Sequence, residues 1–238
     1  MDIIKENNIL KKYPIIDEGF ESTIHKYDDA ILLKRFKTTD KNILNNKINK
    51  LEILSNLEDV LNIKIIALVE ENGIINSYLM ENKKNYTKLS CLDDKKKNKI
   101  EILINLKEYL KNLNDNNIIY GDLNLENVLK NEKNQVCCCD LDNVKINNYD
   151  FDIKNNIMRE YLISKKVDMD FDSYMFNILT LSYLIKIPEI HIMTYLRNNS
   201  LPYILNTKEN RKIVESMMSL EDKIYTEPLI DHIKRYHF

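Results

Sequence analysis

The sequence is short of glycine and has no tryptophan, with only three glycines among its 238 residues. Lysine, asparagine and isoleucine are abundant instead, a bias that is typical of an AT-rich genome and carries no chemical information. Glycine allows backbone conformations that other residues avoid. Gly19, Gly73 and Gly121 are therefore the first places to inspect for a tight turn or a close backbone approach.

Long apolar runs are also missing. No stretch of about 18 uncharged apolar residues occurs, so we expect no membrane-spanning helix and no membrane partner. The segment Met1–Glu6 carries acids early, so we expect no signal peptide. The formal net charge is −2 and the two signs are interspersed along the chain. Such a chain offers no broad basic surface, and nucleic acid is not expected as a partner.

Cysteine patterns suited to disulfides or zinc are absent as well. The chain has Cys91 and the run Cys137–Cys139. Neighbouring residues of an extended strand point to opposite faces, so this run is a poor disulfide framework. The run also lacks the paired C-x-x-C spacing with distal His or Cys ligands that zinc sites use. We interpret the run as three small apolar strand residues, and we expect the protein to lie in a reducing cytoplasm.

Periodic apolar patterns divide the chain into two parts. Hydrophobic residues make up 44% and charged residues 30%, as in a soluble protein that can form two small lobes. We expect an α+β fold with a β-rich first domain over residues 1–81, containing one helix, and a mostly helical second domain over residues 82–238. The first domain has predicted strands within 13–36, 63–69 and 74–80 and a helix within 40–57; the second has predicted helices at 93–113, 172–186, 189–197 and 208–235, and short strands at 118–119, 128–129 and 136–139.

A set of oxygen-bearing side chains stands out in the second domain. Asp122 and Asn127 lie five residues apart in a loop with apolar residues on both sides, and Asp140 follows thirteen residues later. Each residue alone is common in turns. Together they suit phosphoryl transfer, in which one carboxylate accepts the proton of an attacking hydroxyl. A second carboxylate and an amide oxygen are suitable ligands for magnesium.

The segment from Asp122 to Asn127 resembles the D-x-x-x-x-N catalytic loop of the protein-kinase superfamily, and Asp140 resembles its D-F-G aspartate. The resemblance implies a bilobal protein-kinase-like fold, with ATP and Mg²⁺ as cofactors. It also implies Asp122 as the base, and Asn127 and Asp140 as magnesium ligands. The forms Tyr-Gly-Asp-Leu-Asn and Asp-Leu-Asp-Asn are closer to bacterial Ser/Thr-kinase-like proteins than to animal kinases.

The first domain offers matching residues for the phosphates. Lys34 ends the predicted strand Ala30–Leu33, where a kinase-like lobe carries the lysine that meets the α- and β-phosphates. The resemblance implies that Glu52, on the following helix, holds Lys34 in an ion pair. Glu58 is the weaker alternative. Both Glu52 and Lys34 would otherwise be solvated surface charges.

Further nucleotide contacts follow from the same resemblance. Gly19 begins a degenerate phosphate-covering loop that has Ser22 where a second glycine is usual. Ile24 would pack on the adenine, and Met80 would form the back of the pocket. The backbone groups of the connector would bind the adenine edge; its residues are Glu81, Asn82 and Lys83.

Several positions depart from the kinase pattern. Tyr120-Gly121 replaces the usual His-Arg, Asn124 replaces a lysine that contacts the γ-phosphate, and Asp142 replaces the glycine of D-F-G. Without that arginine, switching by activation-loop phosphorylation is doubtful, and Asp142 can restrict the turn where D-F-G has glycine. Asp172 resembles the acid that supports the catalytic loop from the central helix of the second lobe, although an ordinary helix N-cap would also explain it.

The expected function is a cytoplasmic, ATP- and magnesium-dependent phosphotransferase. It would move the γ-phosphate to a hydroxyl of a protein Ser or Thr, or of a small molecule as in aminoglycoside kinases. The alternative is a pseudokinase, a binding or scaffold module without turnover. The degenerate glycine loop and Asn124 favour that alternative.

Overall fold

The computed structural model describes residues 1–92, 95–152, 169–197, 208–218 and 228–233. Over these residues the fold is α+β, as predicted, and it divides into two compact units. The first unit consists of Met1–Tyr86 and Leu141–Asp152, and the second of Thr87–Asp140 and the described part of Ile153–Phe238. The predicted boundary lies at residue 81, whereas the first unit extends to Tyr86 and also takes in Leu141–Asp152, which the sequence did not predict.

A mixed six-stranded sheet forms the frame of the first unit. Its strand order is β1-β5-β6-β4-β3-β2, with β1 parallel to β5 and the other pairs antiparallel. The five strands that the sequence predicted are present, and β1 is an additional edge strand. The strands are β1 (Asp2–Glu6), β2 (Ile15–Glu18), β3 (Ser22–Lys26), β4 (Ile31–Phe36), β5 (Ile65–Glu71) and β6 (Ile74–Glu81).

A short helix, α1 (Ile9–Lys12), closes part of the core beside this sheet. Ile9 is fully buried against a cluster that includes Leu33, Val69 and Leu79 from three strands. Its backbone N–H donates to Glu71 Oε1 over 3.0 Å. Burial of these apolar side chains stabilises the unit, and the hydrogen bond satisfies an N–H at the helix start that would otherwise lack a partner.

Helix α2 (Lys41–Leu54) begins at a capping aspartate. The Asp40 side chain accepts hydrogen bonds from the backbone N–H groups of Asn42 and Ile43. The helical period predicted for residues 40–57 is confirmed, and the leucines of one face are buried. That face also buries two lysines, which the apolar pattern did not predict; its buried residues are Leu44, Lys47, Lys50, Leu51 and Leu54. A one-turn helix, α3 (Glu58–Leu61), follows.

The second unit surrounds a short antiparallel sheet with helices. Strand β9 (Val128–Lys130) lies between β10 (Val136–Cys138) and β7 (Thr87–Lys88). Each helix predicted in this part has a counterpart among the described residues, although 93–94, 219–227 and 234–235 of the predicted segments lie outside them. None of the described helices is long and apolar enough to cross a membrane. The helices are α4 (Lys96–Asp115), α5 (Met169–Ile185), α6 (Glu189–Arg197), α7 (Lys208–Met218) and α8 (Leu229–Ile233). Two further two-residue strands among the described residues are β8 (Ile118–Ile119) and β11 (Lys145–Ile146).

We predict that Asp40→Ala lowers the free energy of unfolding by about 1 kcal/mol, because alanine cannot accept the two hydrogen bonds of the first turn of α2. Chemical denaturation followed by circular dichroism measures this difference. Asn45→Ala, at an exposed position of the same helix, is the control and should change the free energy by less than about 0.5 kcal/mol. Equal losses in the two variants would contradict the capping role.

Candidate functional site

A buried carboxylate accepts hydrogen bonds from the backbone of the loop between β8 and β9. Asp172, in the first turn of α5, accepts hydrogen bonds from Tyr120 N at 2.7 Å and Gly121 N at 2.8 Å. Gly121 has a φ of +78°, which lets the two consecutive amides point to one acceptor. The prediction that Asp172 supports this loop is confirmed. The side chain acts on the loop rather than as an N-cap of its own helix.

Asparagines fix the part of the loop that carries Asp122. Asn127 Nδ2 donates to Asp122 Oδ2 at 2.8 Å and to the Asp122 backbone carbonyl at 3.0 Å. Asn124 Oδ1 accepts from Asn127 N at 3.1 Å, and its Nδ2 also donates to the Asp122 carbonyl. Asp122 therefore has its backbone and its carboxylate both held by neighbouring amides. Such a carboxylate is oriented before any substrate arrives.

Asp140 follows a strand that pairs with the end of this loop. Cys139 N donates to the Asn127 carbonyl at 2.9 Å, and Tyr120 Oη donates to the Cys139 carbonyl at 2.5 Å. The next residue, Asp140, is exposed and has a left-handed φ of +58°. The second unit therefore holds Asp122, Asn127 and the chain just before Asp140 in one hydrogen-bonded arrangement.

The donor set suits magnesium. Asn127 Nδ2 donates to Asp122, while its hard amide oxygen lies 3.9 Å from the weak donor Cys139 Sγ and is a suitable ligand; Asp140 adds a carboxylate. Among the described residues no group of three or more His, Cys, Asp or Glu side chains gathers as a metal cage. Magnesium does not require such a cage, because it keeps waters and substrate phosphates as its other ligands.

A cavity of about 840 Å³ opens in the second unit beside Asp122. This volume is in the range of small-molecule pockets, roughly 300–1,000 Å³. Glu189, at the start of α6, accepts from Leu125 N at 3.3 Å and so ties the loop to the cavity wall. The wall carries both charges and polar groups, including Asp122, Asn124, Asn127, Lys99, Lys186 and Glu189.

In the first unit, Lys34 does not meet its expected partner. Glu52 lies on the exposed face of α2, and between these two described residues the expected ion pair does not form. Lys34 Nζ contacts Asp142 Oδ1 instead, and both residues are only 3% exposed. The prediction of a Lys34–Glu52 pair is therefore wrong, because Glu52 follows the buried Leu51 by one residue and points away from it.

Two further lysines extend this ion pair into a chain of buried charges. Lys47 Nζ lies 2.7 Å from Asp142 Oδ2 and 3.7 Å from Asp152 Oδ2. Lys50 Nζ lies 2.7 Å from Asp152 Oδ2. Burial raises the pKa of the Asp142 carboxyl, but the charges of Lys34 and Lys47 outweigh it and the pKa lies well below its usual range.

Lys47, Lys50 and Asp152 were not predicted from the sequence to form buried ion pairs. The signal that could have found the lysines is their position, since both fall in the leucine stripe of α2. Burial lowers the pKa of Lys50, an effect that its hydrogen bond to Asp152 only partly offsets. For Lys47, burial also lowers the pKa, but the combined attraction of Asp142, Asp152 and Glu21 outweighs burial and the pKa is raised.

The residues predicted to contact the nucleotide lie on the sheet of the first unit. Gly19 N donates to the Ser22 carbonyl at 2.9 Å and forms a tight turn, while Ile24 pairs with Lys34 across β3 and β4. Met80 pairs with Leu32 across β4 and β6. The strand pairing and the turn do not test the predicted nucleotide contacts of Gly19, Ile24 and Met80, which stay predictions.

The connector differs from the expectation in one respect. The amides of Glu81 and Asn82 already donate to the carbonyls of Lys64 and Ala30, at 2.9 and 2.8 Å. Lys83 forms an ion pair with Glu81 at 2.9 Å. Two of the three connector N–H groups are thus used within the first unit, and recognition of adenine by those two amides is not supported.

No protein-family model matches the chain, and a search of curated proteins found no match.

Asp172 should make stability depend on pH. Burial raises its pKa to about 6, against the opposing effect of the hydrogen bonds from Gly121 and Tyr120. An unfolded Asp titrates near 4, so the folded chain binds this proton more tightly. The resulting stabilisation is fully present below about pH 4 and is lost as the pH rises through about 6.

We therefore predict that the wild type loses stability relative to Asp172→Asn between about pH 4 and pH 7, by on the order of 3 kcal/mol. Denaturation of both proteins at several pH values measures the difference. Carboxyl ¹³C NMR of Asp172 provides the direct titration. A stability difference that is constant over this range would contradict the prediction.

Proposed function

We propose that the protein is an ATP- and magnesium-dependent phosphotransferase with a bilobal protein-kinase-like fold. The observation that carries the proposal is the fixed orientation of the Asp122 carboxylate beside a cavity. Its carboxylate is oriented by Asn127 at 2.8 Å, on a loop fixed by the buried Asp172, at the wall of a cavity of about 840 Å³. A carboxylate oriented beside a cavity is what a base for a hydroxyl acceptor requires.

In this proposal three residues of the second unit, Asp122, Asn127 and Asp140, carry the chemistry. Asp122 accepts the proton of the acceptor hydroxyl, and Asn127 keeps its carboxylate in one orientation. Asn127 Oδ1 and Asp140 would hold Mg²⁺, which would supply positive charge beside the phosphates of ATP, the donor of the γ-phosphoryl group.

The cavity beside Asp122 is the proposed place of the acceptor. The acceptor is a hydroxyl of a protein Ser or Thr, or of a small molecule, and the polar wall with Lys186 and Glu189 suits either. In the first unit, the phosphate contacts are assigned to Lys34 and to the turn that begins at Gly19. The adenine contacts are assigned to Ile24 and Met80.

One observation favours a second candidate, a pseudokinase that binds without turnover. The Lys34 ammonium is buried and engaged with Asp142, and Asn124, in the place of a lysine, is engaged with its own loop. Both groups are thus used within the protein. Measurement of ATP turnover with magnesium separates the two candidates, because a pseudokinase has none with any acceptor.

We predict that Asp122→Asn lowers turnover on the order of 10²–10⁴-fold, because asparagine cannot accept the hydroxyl proton. The asparagine can still accept the hydrogen bond from Asn127, so folding and binding of an ATP analogue should persist. Phosphate transfer is followed with radiolabelled ATP. Glu132→Gln, an exposed acid in the turn between β9 and β10, is the control and should keep the wild-type rate. An unchanged rate in Asp122→Asn would rule out the assigned base.

We predict that Asp140→Asn raises the magnesium concentration needed for half-maximal turnover by on the order of tenfold. The reason is that a neutral amide oxygen binds Mg²⁺ more weakly than a carboxylate. A magnesium titration at fixed ATP measures this value. Asp150→Asn, another exposed acid close in the chain, is the matched control. The same magnesium dependence in the wild type and in Asp140→Asn would remove Asp140 from the metal site.

A further inference from the structure

We propose that Asp142 is the positioning residue for Lys34, and that Lys47 holds the Asp142 carboxylate in place. The kinase resemblance implies that an acid on the helix, Glu52, holds Lys34. In this protein Asp142 holds Lys34 instead, and the helix contributes the lysine that holds Asp142. The helix supplies a lysine, and the segment after Asp140 supplies the acid. This inference rests on the proposed function, since it concerns the lysine that would contact nucleotide phosphates.

The two oxygens of the Asp142 carboxylate have different partners. Oδ1 contacts Lys34 Nζ and accepts from Tyr78 Oη at 3.3 Å, while Oδ2 contacts Lys47 Nζ at 2.7 Å. Each carboxylate oxygen therefore has its own cation. A carboxylate held on both sides cannot rotate without breaking a buried ion pair, so Lys34 receives a fixed direction.

The orientation of α2 places Lys47, and not Glu52, on the buried face of the helix. Lys47 lies three residues after the buried Leu44 and four before the buried Leu51, so it belongs to the face that packs inward. Glu52 is exposed on a different face. Successive residues of a helix are separated by about 100° of rotation, so Glu52 could replace Lys47 only if the helix turned and exposed its leucines.

The buried charges are weakly explained by a gain in stability. Three lysines (Lys34, Lys47 and Lys50) share two buried carboxylates, Asp142 and Asp152. Burying such a chain is seldom better for stability than packing apolar side chains of the same size. Gain in stability is therefore a weak explanation for it. The contacts support a different explanation: the row of ion pairs fixes the position of Lys34, which lies at one end of the row.

The test uses Asp142→Asn, the double variant Asp142→Asn/Lys47→Met, and the control Lys50→Met. The single variant leaves two buried lysines without their carboxylate and can fail to fold. The double variant removes one cation and one anion together, so the net charge of the network is that of the wild type. Lys50→Met removes an equally buried lysine that contacts Asp152 rather than Asp142.

Two measurements are made on each full-length protein. The first is the rate at which an amine-acylating reagent modifies Lys34 at one pH, followed by mass spectrometry of the peptide. The second is binding and turnover of ATP with magnesium. We expect the folded double variant to show acylation of Lys34 on the order of tenfold faster than the wild type. We expect kcat/KM for ATP to fall on the order of 100-fold, because a misplaced lysine no longer meets the phosphates.

Lys50→Met should leave both quantities close to wild type, although it disturbs the same network. Equal effects in Lys50→Met and the double variant would mean a general structural role and would overturn the inference. An unchanged acylation rate in the double variant would overturn it as well, as would an effect of Glu52→Gln on ATP binding with none from Asp142. A wild type that neither binds nor turns over ATP refutes the proposed function, while the acylation rates still decide whether Asp142 holds Lys34.

Discussion

The candidate site depends on the two hydrogen bonds by which Asp172 holds consecutive backbone amides. One carboxylate can accept from both Tyr120 and Gly121 only where the chain turns so that the amides converge, and Gly121 does this at a φ of +78°. A residue with a Cβ is strained in that conformation. One of the three glycines of the chain is therefore required here, and Asp122 follows it directly. The direction of the proposed base is set by a buried acid on another element.

Two buried aspartates show how neighbouring charges decide the state of a carboxyl group. Burial raises the pKa of Asp172, and the hydrogen bonds from two neutral amides only partly oppose this effect. Burial acts on Asp142 in the same direction, but two lysine ammonium groups reverse the result and lower its pKa. Asp142 is therefore a permanent anion that can hold cations, whereas Asp172 exchanges its proton near neutral pH. The first suits a device that fixes Lys34, and the second suits a support for backbone N–H groups.

Local patterns predicted the elements well, and failures occurred where long-range packing decides. The period of α2 and the strands of the first sheet are visible in the sequence, because each element shows its own apolar repeat. Strand β1 was missed because its partner, β5, lies about 60 residues away and its exposed edge carries no clear alternation. The Lys34–Glu52 pair was wrong for a related reason. Helical spacing shows which residues share a face, but the charged residues on the buried face of α2 are lysines, and their partners come from residues 141–152.

The two acids that follow β10 show why a motif predicts residues better than roles. Residues two apart in a strand point to the same side, so Asp140 and Asp142 would share a face if the strand continued. The strand ends at Cys138, Asp140 takes a left-handed φ of +58°, and Leu141–Asn143 forms a 3-10 turn. This break in the alternation leaves Asp140 exposed and buries Asp142. Asp142 therefore brings a buried negative charge to Lys34 and Lys47.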